Sequence, residues 1–421
     1  MKNLKICLAG FMCFFMVSCG QQDNETFHEI HALIEKSNYF AARDLFNQQR
    51  HNLSARNQLV IGAVLDNAFN RNNLSQEKTN RLLDKYHLLP DTLLSAIYAI
   101  RQDNAVKLHQ YREAAKADSI RLKDFGETLS ETQKKDIQNN LKLWSALSDV
   151  PPQQVSVQGE TFLKLEKDMA GLDNITVSAG GDTLGFIFDT GANLSTICLS
   201  VAETMGMHII PSEILVGSIT GEKVPAQLAV CRQLKIGHIA VDHVVFLVLP
   251  DEQLTFPQIG YKIRGILGYP VLEAFGEIQI TRAGTMVIPV NHSKFSGPSN
   301  MAMDGLTPLI CLEGNPYTFD TGADHTMLYA AYYTDNKNEV EACCELEKIQ
   351  FGGAGGVREF DGFVIDKTFN ISGKEISVEG IHLIKEKIKE SETVYGNIGQ
   401  DVMGQFSKMI LNFDKMFILF E

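Results

Sequence analysis

Two stretches of the 421-residue chain put a carboxylate where one is costly to keep: FIFDTGANLSTI, residues 186–197, and YTFDTGADHT, residues 317–326. Asp189 and Asp320 each follow apolar residues and precede Thr and Gly. An ionised carboxyl in apolar surroundings is disfavoured unless backbone N–H groups or another charge satisfy it. A strand that runs into Asp-Thr-Gly sends its apolar residues into a core and turns at the glycine, leaving the amides of the turn to donate to the carboxylate. One such site is a structural oddity. Two that meet are chemistry, because adjacent carboxyls cannot both ionise easily and the pair keeps one proton over a range of pH. The ionised member can activate a water while the protonated member donates to a carbonyl oxygen. Peptide hydrolysis by this route requires no metal, no cofactor and no covalent intermediate.

The two stretches lie in copies of one another. Asp189 and Asp320 are 131 positions apart; Gly265-Ile266-Leu267-Gly268 stands opposite Gly396-Asn397-Ile398-Gly399 at the same spacing. Phe275 matches Phe406, and the closing segment MVIPV falls opposite FILFE at the end of the chain. Each Asp precedes its matching Gly by 79 residues. A lone Asp-Thr-Gly occurs by chance in roughly one chain in ten of this length, so the matched context carries the weight.

Positioning these loops is work for strands. From residue 158 the texture alternates apolar and polar, as in TFLKLEK, NITVSAGG and AVDHVVFLVL, with Gly and Asp between the runs. We expect two β lobes, residues 158–290 and 304–421, joined by the linker NHSKFSGPSNMAMDG. Upstream, residues 28–150 read as helical: Ile30, Leu33 and Ile34 recur at helical steps, as do Ile61, Val64, Leu65 and Ala68. Start signals are Ser75 before QEKTNRLL, Asp91 after Pro90, and the capping box of Ser130 with Gln133. SDVPPQQVSVQGET ends the helical pattern.

At the two Asp-Thr-Gly motifs and their Gly-bounded partner segments, the chain resembles the aspartic peptidases of the retropepsin and pepsin type, over about residues 160–421. The resemblance implies an all-β bilobal acid-protease fold with two lobes related by a pseudo-twofold axis. It implies aspartic endopeptidase activity on a peptide or protein substrate, with Asp189 and Asp320 as the catalytic pair. Thr190 and Thr321 would lock the two loops together, Gly191 and Gly322 would offer amides to the carboxylates, and Asn193 and Asp324 would contact substrate backbone. Ile266-Leu267-Gly268 resembles the segment that braces the active loop, and Asn397 in the second copy is expected to weaken that brace. Gly-containing flaps are expected at LVGSITGEK, residues 215–223, and FGGAGGV, residues 351–357, with Gly217 and Gly353 meeting substrate. No tyrosine occurs between Asp189 and Tyr261, so each lobe is closer to the retropepsin pattern. Ala192 and Ala323 occupy places where relatives carry a hydroxyl that lowers the carboxyl pKa; activity reaching toward neutral pH is the expectation. The helical part lies outside this resemblance. ALIEKSNYFAARDLF resembles one unit of a tetratricopeptide-like hairpin but shows no fixed-period recurrence. A spacer bundle and a partner-binding groove both fit it.

Lys2 and Lys5, an apolar run from Ile6 to Val17 and Ser18-Cys19-Gly20 have the form of a signal segment over residues 1–18. MVSCG resembles a bacterial lipobox, which implies lipidation of Cys19, an acidic and amide-rich tether over residues 19–27, and a lipid-anchored protein of the bacterial cell envelope. The chain carries 38 basic and 51 acidic residues, and loss of the leader removes only bases. Such a balance repels phosphate backbones and argues against nucleic acid as a partner. Cys198, Cys231, Cys311, Cys343 and Cys344 show no zinc-ligand spacing and read mostly as buried small hydrophobes, with one optional disulfide. The histidines form no metal motif; His325, beside Asp324, either tunes the carboxyl pair or faces solvent. The rival reading is a non-catalytic peptide-binding or scaffold lipoprotein on the same bilobal fold.

Overall fold

A computed structural model describes residues 18–86, 88–217, 223–353 and 356–421. The leader, apart from Ser18, and the side chain of Cys19 lie outside the described residues. The chain divides into two compact units, one of residues 153–301 with 306–421, the other of residues up to 152 with 302–305.

The second of these is helical, with Ser18–Glu35, Tyr39–Gln49, Ala55–Ala68, Asn72–Lys85, Asp91–Lys107, Tyr111–Asp124 and Glu131–Ala146 in succession. The periodic apolar residues are its core: Ile30, Ile61 and Ala68 are almost fully buried. Ser130 and Gln133 make the reciprocal capping box. Two expectations fail here. The presumed tether, residues 19–27, is the first half of a helix, because its polar residues find partners: Asp23 accepts from the Ser54 amide and Asn57 Nδ2, and buried Thr26 bonds Gln49. Ser75 does not begin a helix. The chain turns earlier, with Asn70 at φ 58°, and Ser75 lies buried in the next helix, where its hydroxyl donates to the Ala63 carbonyl at 2.7 Å. The linker also ends sooner than expected. Its last residues form the strand Met301–Asp304, buried along its length, since Met-Ala-Met is an apolar run without Gly or Pro. Asp304 accepts from the hydroxyls of Ser37 and Tyr39.

The other unit is the β region, and it is built twice. In the first lobe a hairpin joins Asp173–Ala179 to Asp182–Phe188 through Gly180 and Gly181, both at positive φ, as a two-residue hairpin turn requires. In the second lobe Thr307–Leu312 and Asn315–Phe319 turn through Glu313 and Gly314, again both at positive φ. Phe186, Phe188 and Phe319 are almost wholly buried. The strand Gly265–Leu267 runs parallel to Asp182–Phe188 and antiparallel to Ser195–Cys198. Gly396–Ile398 does the same between Asn315–Phe319 and Met327–Leu328.

The lobes share a five-stranded sheet of Thr161–Lys164, Thr285–Ile288, Glu277–Thr281, Lys408–Asn412 and Phe417–Phe420. At its centre Gln279 is paired with Ile410. These two residues stand at the repeat spacing, so the antiparallel pair is centred on residues the duplication makes equivalent. A twofold operation that exchanges the lobes therefore passes through this pair. Glu277 is fully buried beside it and takes hydrogen bonds from Ser293, Gln279 and Asn412, which hold its carboxyl below the usual range against the opposing effect of burial.

Cys198 and Cys231 are buried, but Cys311 and Cys344 are only partly so and Cys343 is exposed, its sulfur against that of Cys344. The expectation of mostly buried cysteines fails because Cys343 and Cys344 end the helix Ala330–Cys343 at the surface. The strands expected to carry flaps are present: His208–Gly217 pairs with Lys223–Ile236, and Glu347–Gly353 with Gly356–Ile371. Gly217 faces Lys223 and Gly353 faces Gly356 at the ends of these hairpins. The tips, residues 218–222 and 354–355, lie outside the described residues, so the two flap expectations do as well.

Candidate active site

Asp189 and Asp320 leave their strands at corresponding points and are held by corresponding bonds. The Asp189 amide donates to the Leu267 carbonyl and the Asp320 amide to that of Ile398, both at 3.1 Å. Each partner segment thus fixes where its loop begins. The same segments brace the loops from beneath. Tyr269 and Gln400 donate their amides to the carbonyls of Ala192 and Ala323. Gly268 and Gly399 donate theirs to the hydroxyls of Ser195 and Thr326, both at 3.1 Å. A side chain at Gly268 would collide with the Ala192 carbonyl and one at Gly399 with the backbone of His325, so both positions require glycine for space.

Thr190 and Thr321 tie the loops to one another. The Thr190 hydroxyl donates to the Phe319 carbonyl at 2.9 Å and accepts from the Thr321 amide at 3.0 Å; the Thr321 hydroxyl donates to Phe188 and accepts from Thr190 at the same distances. Both threonines are buried. Each bond is worth about 1 kcal/mol net, but an unpaired buried group in their place would cost about 1–3 kcal/mol, so the four bonds stand or fall together.

This lock sets the two carboxyls side by side. A methyl group built on Gly191 would lie 2.5 Å from Cγ of Asp320, and one on Gly322 would lie 2.4 Å from Cγ of Asp189. Neither glycine has a positive φ. They are needed for the missing side chain rather than for a special turn. Gly191 and Ala192 donate their amides to Asp189 Oδ1 at 2.8 and 3.1 Å, and Gly322 donates to Asp320 Oδ1 at 2.8 Å.

Both aspartates keep partial access to solvent, but each carboxyl is packed against the opposite loop. Burial holds the Asp189 carboxyl well above the usual carboxylate range; the charge of Asp320 and a hydrogen bond with it act in the same direction, and the Gly191 and Ala192 amides oppose them. Burial also raises Asp320, opposed by the bond with Asp189, the loop amides and Asn397. The pair is therefore built to retain a proton where isolated aspartates have lost theirs.

The remaining expected site residues are more dispersed. Asn193 Oδ1 accepts from the Thr307 hydroxyl at 2.9 Å, which engages it in a bond between the lobes. Asp324 and His325 are solvent-exposed, their side chains 3.6 Å apart. Sequence reasoning missed Ser195 and Thr326, although they stand at the repeat spacing and that regularity was the available signal. Asn397, in the second brace, stays paired with Thr318 on the parallel strands, takes a hydrogen bond from the Thr318 hydroxyl, and reaches Asp320 Oδ2 through its own amide.

Residues 175–271 match the family described as Aspartyl protease. The match runs from the first Asp-Thr-Gly hairpin through Ile266-Leu267-Gly268, and this part of the chain is retropepsin-like. Among solved structures the chain is similar to a retropepsin-like aspartic protease from Rickettsia conorii, at 19% identity, over 32% of this chain and 91% of that one, with a TM-score of 0.23. No curated protein matches the chain. The family match supports aspartic protease function in general.

Proposed function

We propose that the protein is an aspartic endopeptidase in which Asp189 and Asp320 share one proton around a catalytic water. The water oxygen bonds to the peptide carbonyl carbon, its proton passes to the ionised carboxyl, and the proton of the other carboxyl passes to the carbonyl oxygen. Collapse breaks the C–N bond. One proton then goes to the leaving nitrogen and one returns to the pair, so the dyad is regenerated and no covalent enzyme intermediate is formed. The observation that carries this reading is the mutual packing of each motif's glycine on the other motif's carboxyl. A binding module gains nothing from forcing two carboxyls together, since their repulsion only destabilises the fold. Asn193, Asp324, Gly217 and Gly353 are the proposed substrate contacts. Cleavage of a mixed peptide library between about pH 4 and 8, with the Asp→Asn variants as controls, tests the proposal.

The acid limb of the rate profile follows the loss of the first proton from the pair. Ala192 and Ala323 lack the hydroxyl that would donate to the ionised form, and supplying it should favour ionisation. Ala192→Ser with Ala323→Ser should move the acid limb to lower pH, by roughly one unit for a hydrogen bond to a charged group. A limb that stays in place would count against this control of the dyad.

The N-terminal pattern supports an exported protein, anchored in the bacterial envelope through a lipid on Cys19, that acts on peptides or proteins there. Fatty acid fed to expressing cells should label the unaltered protein and not Cys19→Ala. Equal labelling of both would remove the anchor from the proposal.

A further inference from the structure

Cys343 and Cys344 are adjacent in sequence, and the fold turns both sulfurs to the same side. Neighbours on a strand point to opposite faces, and neighbours on a helix stand about 100° apart, so regular structure of either kind would separate them. Here the backbone changes between the two. Cys343 is the last residue of the helix Ala330–Cys343, while Cys344 is extended, at φ −131° and ψ 146°. Its amide still donates to the Val340 carbonyl at 3.0 Å, which holds the bend in place. The two Sγ atoms face each other at 2.8 Å. Cys343 is exposed and Cys344 partly so, which leaves the pair open to reagents. Cys198 and Cys231, by contrast, are buried out of reach.

We propose that Cys343 and Cys344 form a redox site separate from the carboxyl pair, a dithiol that a small-molecule disulfide converts reversibly to a disulfide between adjacent residues. The exposed Cys343 thiolate attacks one sulfur of the oxidant, forms a mixed disulfide with it and expels the first oxidant thiolate. Cys344 then gives up its proton and attacks Cys343 Sγ, which closes the ring and expels the second. Two electrons pass from the protein to the oxidant, and the two cysteine protons end on the two oxidant thiols. Exposure sets this order, and the hydrogen bond with Cys343 supports it by pushing the Cys344 thiol up to about 11. Adjacent residues hold their Cα atoms about 3.8 Å apart across a trans peptide, below the roughly 4.4–6.8 Å that a disulfide prefers. Closure therefore stores strain, and a strained, exposed disulfide is one that mild thiols reopen. The export proposed above would bring the site to oxidants of this class, but the site rests on its own geometry.

The experiment treats the unaltered, folded protein with oxidised glutathione, quenches it in acid, alkylates the remaining thiols and digests the chain with trypsin for mass spectrometry. Cleavage after Lys337 and Lys348 releases residues 338–348, which hold these two cysteines and no others. We expect this peptide to lose two hydrogens and take up no alkylating group, and reduced glutathione to reverse the change. Cys344→Ser should stop at the mixed disulfide, with one glutathione on Cys343. Unfolding in urea removes the bend, and the share of ring over mixed disulfide should then fall roughly tenfold as the sulfurs lose their orientation. Two glutathione adducts on the unaltered peptide, a disulfide between two chains, or two thiols that stay open to alkylation would overturn the proposal. An unchanged share of ring in urea would overturn it too, because adjacency in sequence and not the fold would then be the cause.

Discussion

Asp189→Asn and Asp320→Asn should each lower peptide hydrolysis by roughly 10³- to 10⁴-fold, the range that a lost acid or base step contributes. Neither replacement changes the shape of the loop much, since an amide oxygen can still accept from Gly191 or Gly322. What disappears is the exchangeable proton on one side of the water, and with it the pairing of an acid with a base. The stability of the protein should move the other way near neutral pH. Burial raises both carboxyl pKa values in the folded state, and the charge of Asp320 raises Asp189 further, so what the pair contributes to stability is fully present below the ordinary carboxylate range and is lost as pH rises through the raised values. Asparagine does not ionise and escapes that loss. The variants should therefore be less active and, by urea unfolding near pH 7, more stable than the parent. Cleavage that survives both replacements would refute the dyad, and no cleavage by the parent between about pH 4 and 8 would favour a non-catalytic peptide-binding protein.

Gly191→Ala and Gly322→Ala should be as damaging to activity for a steric reason. The added methyl would sit 2.5 or 2.4 Å from the carboxyl carbon of the opposite aspartate, well inside van der Waals contact. The carboxyl cannot swing away without leaving the amides that hold it, and the loop cannot retreat without breaking the threonine bonds that join the lobes. Overpacking of this kind costs roughly 1–3 kcal/mol, and a displacement of about an ångström at reacting groups costs on the order of 10²-fold in rate. Alanine has no difficulty with the backbone angles at either position, so the loss would report the contact between the loops. Unfolding in urea and kcat/KM measure the two parts. A fully active Gly322→Ala would mean that the carboxyls do not meet as the structure has them.

Much of this site was legible before any fold was known. The repeat spacing joined Asp189 to Asp320, Thr190 to Thr321 and Gly268 to Gly399, because a duplicated chain preserves the separations needed to build the same loop twice. The helical period over Ile30, Ile61 and their neighbours marked a core, and Ser130 with Gln133 marked a helix start, since both signals act within a few residues. The failures share a different cause. Residues 19–27 read as a polar tether, yet they are helical because Asp23 and Thr26 bond residues about thirty positions away. Ser75 has the composition of a cap, but the chain had already turned at Asn70 and buried it.

By itself, then, the order of residues determined the duplication, the strand and helix textures, and which side chains could carry proton chemistry, all properties of type and spacing along one chain. Only the tertiary structure decided that Gly191 meets Asp320 and Gly322 meets Asp189, that Glu277 is satisfied by Asn412 in the sheet between the lobes, and that Asn397 turns its amide to one aspartate and not the other. Those outcomes depend on distances between atoms more than seventy residues apart in sequence, and hydrogen bonding and close packing are decided by such distances.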